Sequence, residues 1–399
     1  MATLKYMINK MRDVKIGDVA SVLPMITAKI VSPLFAKKYT GSWLICEEPQ
    51  EARDNGYWFF KYMCENHPEK DCYYAIANNS VDYHKVKQLG NIVEFGSLKH
   101  WILYFLCEYN ISSQKGGKPN APLCAFLELN HLSNVKNVFL QHGVTINNAR
   151  WLYADRSSFT FFITATTDET EYIKTKFGYP DNVVQYTGFS RFDNLHDNKV
   201  VKNRILIMPS WRAWFREKTS QESKADADFE HSEYYTKWKE LISCDQMKEL
   251  IKNYKLEVIF FPHRNMQPYL SYFEDIDTGV VIGSAQRYDV QELLKSSQLM
   301  ITDYSSVFFD MVYMKKPVIF YQFDEEKFRR QQYQEGYFDY HNSPFGPVFS
   351  EYEGVLIGLE QLITDNYQVS EKFLKEHKRV FSLLDKNNSE RIYQLLISK

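Results

Sequence analysis

From Trp43 onward, short apolar runs of strand length alternate with stretches of helical period almost to the end of the chain. Candidate strands are Trp43–Cys46, Tyr73–Ala77, Ile92–Glu94, Asn137–Gln141, Phe161–Thr164 and Val183–Tyr186. Helical patterns between them include Gly56–Cys64, Leu98–Glu108 and Asp168–Phe177. A second set begins near Arg204, with strands Ile205–Met208, Glu257–Phe261, Val280–Ile282, Leu299–Thr302 and Val318–Phe320 and helices Tyr234–Asn253, Val290–Lys295 and Ser306–Met314. Alternation of this kind argues for parallel sheets with helices on both faces. The polar stretch Leu195–Asn203 reads as a hinge between the sets, and Ser220–Glu230 as a charged, exposed loop. Gln114–Pro122 is rich in Gly, Pro and Lys and reads as a mobile loop. The expected fold class is α/β, with two doubly wound domains, 41–200 and 201–399, facing a cleft. The helical 370–399 stretch would pack back over the first half. Ligands in such sheets sit at the carboxyl ends of the strands.

Five segments end a candidate strand with residues able to handle protons or anions. The segment Ile301-Thr302-Asp303-Tyr304-Ser305-Ser306 ends an apolar run and enters a helical one. Its serines either cap that helix or bind a phosphate there. In Phe139-Leu140-Gln141-His142-Gly143, His142 has the intrinsic pKa of a general base, and Gly143 allows a ligand to approach the backbone. A loop histidine bonded to a carbonyl is the plain alternative. Thr187-Gly188-Phe189-Ser190-Arg191-Phe192-Asp193 is a glycine-containing loop in which Arg191 and Asp193 either meet a ligand or pair with each other. In Pro209-Ser210-Trp211-Arg212, Arg212 is placed to meet a phosphate bidentately, or to stack at a domain edge. Finally, Phe261-Pro262-His263-Arg264 brings two cationic donors to a strand end, or a surface His beside a solvated Arg. The sequence contains no Walker loop, dinucleotide-binding glycine fingerprint, zinc motif or nucleophile elbow. The inventory suits transfer of a phosphate-containing group from an activated donor, with no metal ligands assigned.

The net charge of −2 gives no global pull toward nucleic acid. The six cysteines lack metal-ligand spacing and read as buried thiols in a reducing compartment. No signal peptide is evident, and no apolar run approaches the ~20 residues that span a bilayer. Residues 1–40 stand apart: Lys5, Lys10, Arg12, Lys15, Lys29, Lys37 and Lys38 are interleaved with apolar residues, and Pro24 and Pro33 divide the stretch. Such a leader either lies in an anionic membrane interface or packs as helices on the body.

These motifs, in this order, resemble the CDP-glycerol:poly(glycerophosphate) glycerophosphotransferase family of teichoic-acid and capsule synthesis. The most specific part is Ile301 to Asp310 followed by Lys316-Pro317-Val318-Ile319-Phe320-Tyr321. His142–Gly143, Thr187–Gly188 with Arg191 and Asp193, Pro209 to Arg212, Glu292-Leu293-Leu294 and the opening Glu51–Tyr57 stretch match in order. The chain departs from the usual pattern at Val144–Thr145, at Phe189–Ser190 and around His263. The resemblance implies a GT-B architecture of two Rossmann-like domains, the second holding a CDP-glycerol or CDP-ribitol donor. By carry-over, His142 would deprotonate the acceptor hydroxyl, His263 would stabilise the donor phosphates, and Ser305 and Ser306 would bind them. Arg212, Arg264 and Asp303 are added from the residue reading on the donor side, and Gly143, Thr187, Gly188 and Arg191 on the acceptor side. The implied reaction moves a polyol phosphate onto a lipid-linked saccharide or growing polyol-phosphate polymer and releases CMP. No cofactor and no nucleic acid is implied, and the enzyme would sit peripherally on an anionic membrane at its cytoplasmic face. The competing readings are a GT-B glycosyltransferase using a nucleotide sugar and a non-catalytic assembly partner.

Overall fold

The computed structural model describes residues 16–197, 199–216 and 229–398. The expected charged loop Ser220–Glu230 lies outside them except for its last two residues, as does the leader before Ile16. The chain forms two compact units. Unit 1 runs to Val144, resumes over Arg150–Asn194 and takes up the chain again from Asp385. Unit 2 consists of Thr145–Ala149 and Leu195–Leu384.

Unit 1 is built on seven parallel strands: β1 (Trp43–Cys46), β2 (Cys72–Ile76), β3 (Asn91–Glu94), β4 (Tyr109–Ser112), β5 (Lys136–Phe139), β6 (Phe159–Thr164) and β7 (Val184–Tyr186). Their order is β3-β2-β1-β4-β5-β6-β7, so the direction of winding reverses between β1 and β4. Trp43 lies opposite Cys72 on one side and Tyr109 on the other. It is wholly buried among Phe59, Tyr109 and Tyr393. Burying an aromatic side chain of this size contributes about 1.5–3 kcal/mol.

The central strand β4 is absent from the sequence pattern. Asn110 and Ser112 interrupt its apolar run, yet both are buried. Asn110 is satisfied there because its side-chain amide donates to the Gly117 carbonyl (3.3 Å) and to Asn137 Oδ1 (3.4 Å). The same contacts anchor the loop after β4. Lys118 is buried and ion-paired with Glu128 at 2.6 Å, so Gln114–Pro122 is a fixed connection where the composition predicts a mobile one.

The helices of unit 1 begin where the sequence supplies a cap. Asn120 accepts the Leu123 N–H (3.0 Å) at the start of Ala121–Leu129, and Thr166 accepts the Glu169 N–H (3.2 Å) at the start of Thr167–Lys176. Near the N-terminus, Val22–Val31 packs Met25, Ala28 and Val31 into the cluster around Trp101 and Leu103. The helical stretch Asp18–Tyr39 is long and apolar enough to cross a membrane by length and composition, which corrects the expectation that no segment reaches that length.

Among its described residues unit 2 carries six strands: β8 (Arg204–Ile207), β9 (Glu257–Phe260), β10 (Val281–Ile282), β11 (Leu299–Thr302), β12 (Val318–Tyr321) and β13 (Val348–Phe349). They are parallel and ordered β10-β9-β8-β11-β12-β13, reversing between β8 and β11. The predicted helix Tyr234–Asn253 is two helices, Glu233–Ser243 and Asp245–Tyr254. Cys244 is extended between them, with ψ of 154°. The bend lets Trp238, Leu241 and Ile242 of the first helix and Met247 and Leu250 of the second enter one core.

Candidate functional site

In unit 1 the site grows from the end of β5. Leu140 is buried, and Gln141 adopts a left-handed backbone with φ of 60°. A non-glycine residue rarely holds that conformation unless its surroundings fix it. Here the Gln141 side chain donates to the Ile163 carbonyl (2.6 Å) and to Glu169 (2.9 Å). From the other side, the Asn55 amide donates to the carbonyls of Leu140 (3.3 Å) and Gln141 (2.7 Å). The turn therefore delivers His142, which is exposed, from a rigid base.

Arg191 completes that frame. Its main-chain N–H donates to Asn55 Oδ1 (3.1 Å), and its guanidinium donates to Asp54 (3.1 Å) and to the His142 carbonyl (3.2 Å). The helix that supplies Asp54 and Asn55, Asn55–Asn66, opens over the buried carboxylate of Glu47, which accepts the N–H groups of Arg53, Asp54 and Tyr57 at 3.0, 3.2 and 2.7 Å. Burial and the Asp54 charge push Glu47 up to about 8, against the pull of those amides. Gly56 is required here, because a Cβ would lie 2.9 Å from the Glu47 side chain.

Of the two alternatives posed for Arg191 and Asp193, the mutual pair is replaced. Asp193 does not pair with Arg191. It accepts the N–H groups of Asn388 and Ser389, each at 2.9 Å, at the start of the helix Asn388–Ile397. The Thr187 carbonyl accepts from Arg391 at 2.8 Å. Gly188 has φ of 79°, and a Cβ there would collide with the Asn388 side chain. Thr187 and Gly188 thus dock the last helix, Arg191 holds the His142 turn, and Gly143 follows His142 in half-buried backbone.

In unit 2 the strand ends around the β8/β11 reversal converge. Main-chain bonds tie them: Met208 N–H to Ile301 carbonyl (2.8 Å), Thr302 hydroxyl to Met208 carbonyl (2.7 Å) and His263 N–H to Pro209 carbonyl (2.9 Å). Asp303 accepts the N–H groups of Ser210 (2.8 Å) and Tyr304 (2.7 Å), which shapes the turn leading to Ser305 and Ser306. Both serines are half-buried ahead of the helix Phe308–Tyr313. His263 Nδ1 accepts the Asn265 N–H (3.2 Å), which leaves the proton of a neutral ring on Nε2. Arg264 beside it is exposed. Ser210 Oγ and the hydroxyls of Tyr304 and Tyr340 are buried here without a hydrogen-bond partner among the described residues.

Arg212 departs from its expected place as a phosphate ligand. Its side chain is fully buried, bidentate to Asp324 (2.8 and 3.0 Å) and in ionic contact with Asp303 (2.8 Å). Tyr304 and Phe328 flank its guanidinium, each 5.2 Å from it. Burial works against the charge, but the two carboxylates outweigh it and raise the Arg212 pKa. The cation is spent inside the unit, and Asp303 is its partner and the brace of the serine turn. Sequence reasoning gave no role to Asp324, Gln322 or Glu47, and noted Asp54 and Asn55 only within the Glu51–Tyr57 stretch. The available signal was position: Gln322 and Asp324 follow β12 as Asp303 follows β11.

A profile of the family described as CDP-Glycerol:Poly(glycerophosphate) glycerophosphotransferase matches residues 26–398. The minor teichoic acid biosynthesis protein GgaB of Bacillus subtilis is 29% identical over 89% of this chain and 39% of its own length. The teichoic acid poly(glycerol phosphate) polymerase of the same organism is 22% identical over 84% of this chain and 45% of its own. The chain thus spans less than half of either relative. Among solved structures, the wall teichoic acid polymerase TagF superposes with a TM-score of 0.67 at 17% identity, covering 96% of this chain and 98% of that one. A variant of that enzyme has been solved with CDPG. The fold is shared: two parallel-sheet, Rossmann-like units of the GT-B kind. With its motifs in family order and nearly its whole length matched, this chain belongs to the CDP-glycerol:poly(glycerophosphate) glycerophosphotransferase family.

Proposed function

We propose that the chain transfers a polyol phosphate, glycerol phosphate in the first instance, from a CDP-polyol to a hydroxyl of a polyol-phosphate polymer or lipid-linked saccharide, releasing CMP. The observation that carries this reading is the convergence of Ser305, Ser306, Ser210 and His263 at the winding reversal of unit 2, where doubly wound sheets take nucleotides. Unit 2 binds the donor diphosphate through the serine turn, the His263 Nε2–H and Arg264. His142 of unit 1 takes the proton of the acceptor hydroxyl. The acceptor oxygen bonds to the polyol-bearing phosphorus in line, and the phosphorus–oxygen bond to CMP breaks with its electron pair leaving on CMP. Positioning and fixed donors supply the catalysis. The test is CMP release across CDP-glycerol, CDP-ribitol and UDP-sugars with polyol-phosphate acceptors. CMP release from a CDP-polyol that survives chelation is the expected result. UDP release from a UDP-sugar, or an absolute metal requirement, overturns the corresponding part.

The same reading places the protein on an anionic membrane at its cytoplasmic face. In the N-terminal helical stretch, Val19, Leu23, Ile26, Ile30 and Leu34 form one exposed stripe, with Leu23 and Ile30 each 72% exposed. The opposite face is fixed onto the helix Leu98–Leu106 of the same unit, which favours lying in the interface over crossing it. Lys29, Lys37 and Lys38 accompany the stripe. The double substitution Leu23→Glu and Ile30→Glu should weaken partitioning onto vesicles containing phosphatidylglycerol by about tenfold or more, from the apolar area that no longer inserts. Unchanged partitioning rejects the stripe as the contact.

A further inference from the structure

The helix Asn55–Asn66 is capped by two carboxylates that divide the work between them. Asp54 is its N-cap residue, with an extended backbone at φ of −115°. A carboxylate at that position ordinarily accepts the N–H of the second or third helical residue. Here the third residue is Tyr57, and its N–H goes to Glu47 Oε1 at 2.7 Å. Glu47 comes from elsewhere in the fold. It directly follows β1, beside the winding reversal of unit 1, and is 3% exposed. Its oxygens also accept the N–H groups of Arg53 (3.0 Å) and Asp54 (3.2 Å). A further buried carboxylate, Asp82, holds the residues just before, accepting the Ala52 N–H (3.0 Å) and Arg53 Nε–H (2.8 Å). The corner Ala52–Asp54 is therefore fixed from outside the helix it opens.

That arrangement changes what Asp54 does. Its Oδ1 accepts the Asn55 N–H (2.8 Å) and the Arg191 guanidinium (3.1 Å). The ion pair is largely shielded, with the two side chains 8% and 25% exposed. An Asp54 side chain turned to cap Tyr57 would give up the arginine. Arg191 in turn donates to the His142 carbonyl, and Asn55 to the carbonyls of the two residues before it. Charge-assisted bonds of this kind fix direction as well as distance. The corner carries a conflict, since burial and the Asp54 charge push Glu47 up to about 8. Local conflicts of this sort are kept at functional sites.

We propose that Glu47 is a positioning residue for His142: by capping the helix from the end of β1 it commits Asp54 to Arg191, and Arg191 to the His142 turn. The inference rests on the reading of His142 as proton acceptor and adds to it what sets the direction of the imidazole.

The test uses the full chain with Glu47→Gln, Asp54→Ser and Arg191→Ala. Serine remains a good helix cap and cannot form an ion pair, so Asp54→Ser removes the arginine contact and keeps the helix start. Glu47→Gln and Asp54→Ser should each lower kcat for CMP release about 10–100-fold, with the KM for CDP-glycerol unchanged. In the Arg191→Ala background either substitution should cost less than about threefold more, because contacts of one network do not add. The imidazole NMR resonances of His142, assigned by their loss in His142→Ala, should shift in all three variants. Parent-level kcat and an unmoved His142 resonance in Asp54→Ser would show that Asp54 only caps, and overturn the proposal. A Glu47→Gln penalty of equal size with and without Arg191 overturns it too. Should Glu47→Gln fail to fold, Asp54→Ser carries the test alone. A shifted His142 resonance in a chain whose His142→Ala variant keeps full turnover upholds the bracing and rejects His142 as the base.

Discussion

The His142→Ala variant should release CMP from CDP-glycerol about 10²–10⁴ times more slowly than the parent chain while still binding the donor, because the role proposed for His142 is that of proton acceptor alone. His142 leaves the end of β5 on a turn whose irregular backbone is held on two sides. Asn55 and the Gln141 side chain fix the two residues before it, and Arg191 fixes its own carbonyl. Such bracing is what a base needs if it is to meet a hydroxyl in one orientation. Arg191→Ala should lower kcat in the same direction, with the Michaelis constant for the donor unchanged, since its guanidinium braces the turn that carries His142. Full turnover by the His142 variant alongside lost turnover by the Arg191 variant would show that the proton goes to another group on this frame.

Replacing Arg212 by methionine should destabilise the folded chain by about 3–5 kcal/mol, because two buried carboxylates would face each other without their cation. Asp303 and Asp324 both rely on that guanidinium, and neither is exposed. Lysine should rescue only part of the loss, since a single ammonium cannot reproduce the bidentate contact with Asp324. Denaturant unfolding followed by tryptophan fluorescence reads the effect. A methionine variant with unaltered stability and abolished CDP-glycerol binding would restore Arg212 to the role of phosphate ligand and dismiss the structural one.

Much of the architecture was written in local pattern. Apolar strands such as Leu299–Thr302 announce themselves, and the helix read at Asp168–Phe177 is found at Thr167–Lys176. What escaped depends on partners distant in the chain. Tyr109–Ser112 looks too polar for a central strand until Asn137 and Gly117 are seen to satisfy Asn110. Arg212 looks like an anion ligand because the sequence gives no hint that Asp303 and Asp324, 91 and 112 residues later, will enclose it. Gly188 reads as part of a ligand loop, whereas its lack of a side chain makes room for Asn388. The placement of chemistry at strand ends was legible because the parallel fold dictates it. The division between residues that hold and residues that act was not, since it is decided by burial and by long-range pairing.

The return of the chain from Asp385 into unit 1 makes unit 2 an insertion within it. On the ribosome, the strands β1 to β7 emerge long before the helix that covers Trp43 through Tyr393 and satisfies Asp193 through Asn388 and Ser389. Unit 2, contiguous from Leu195 to Leu384 apart from one short segment made earlier, is available to fold first. Translation therefore completes unit 1, which bears His142, after unit 2, and a nascent chain stopped near residue 384 would carry the serine turn of unit 2 ahead of a settled imidazole.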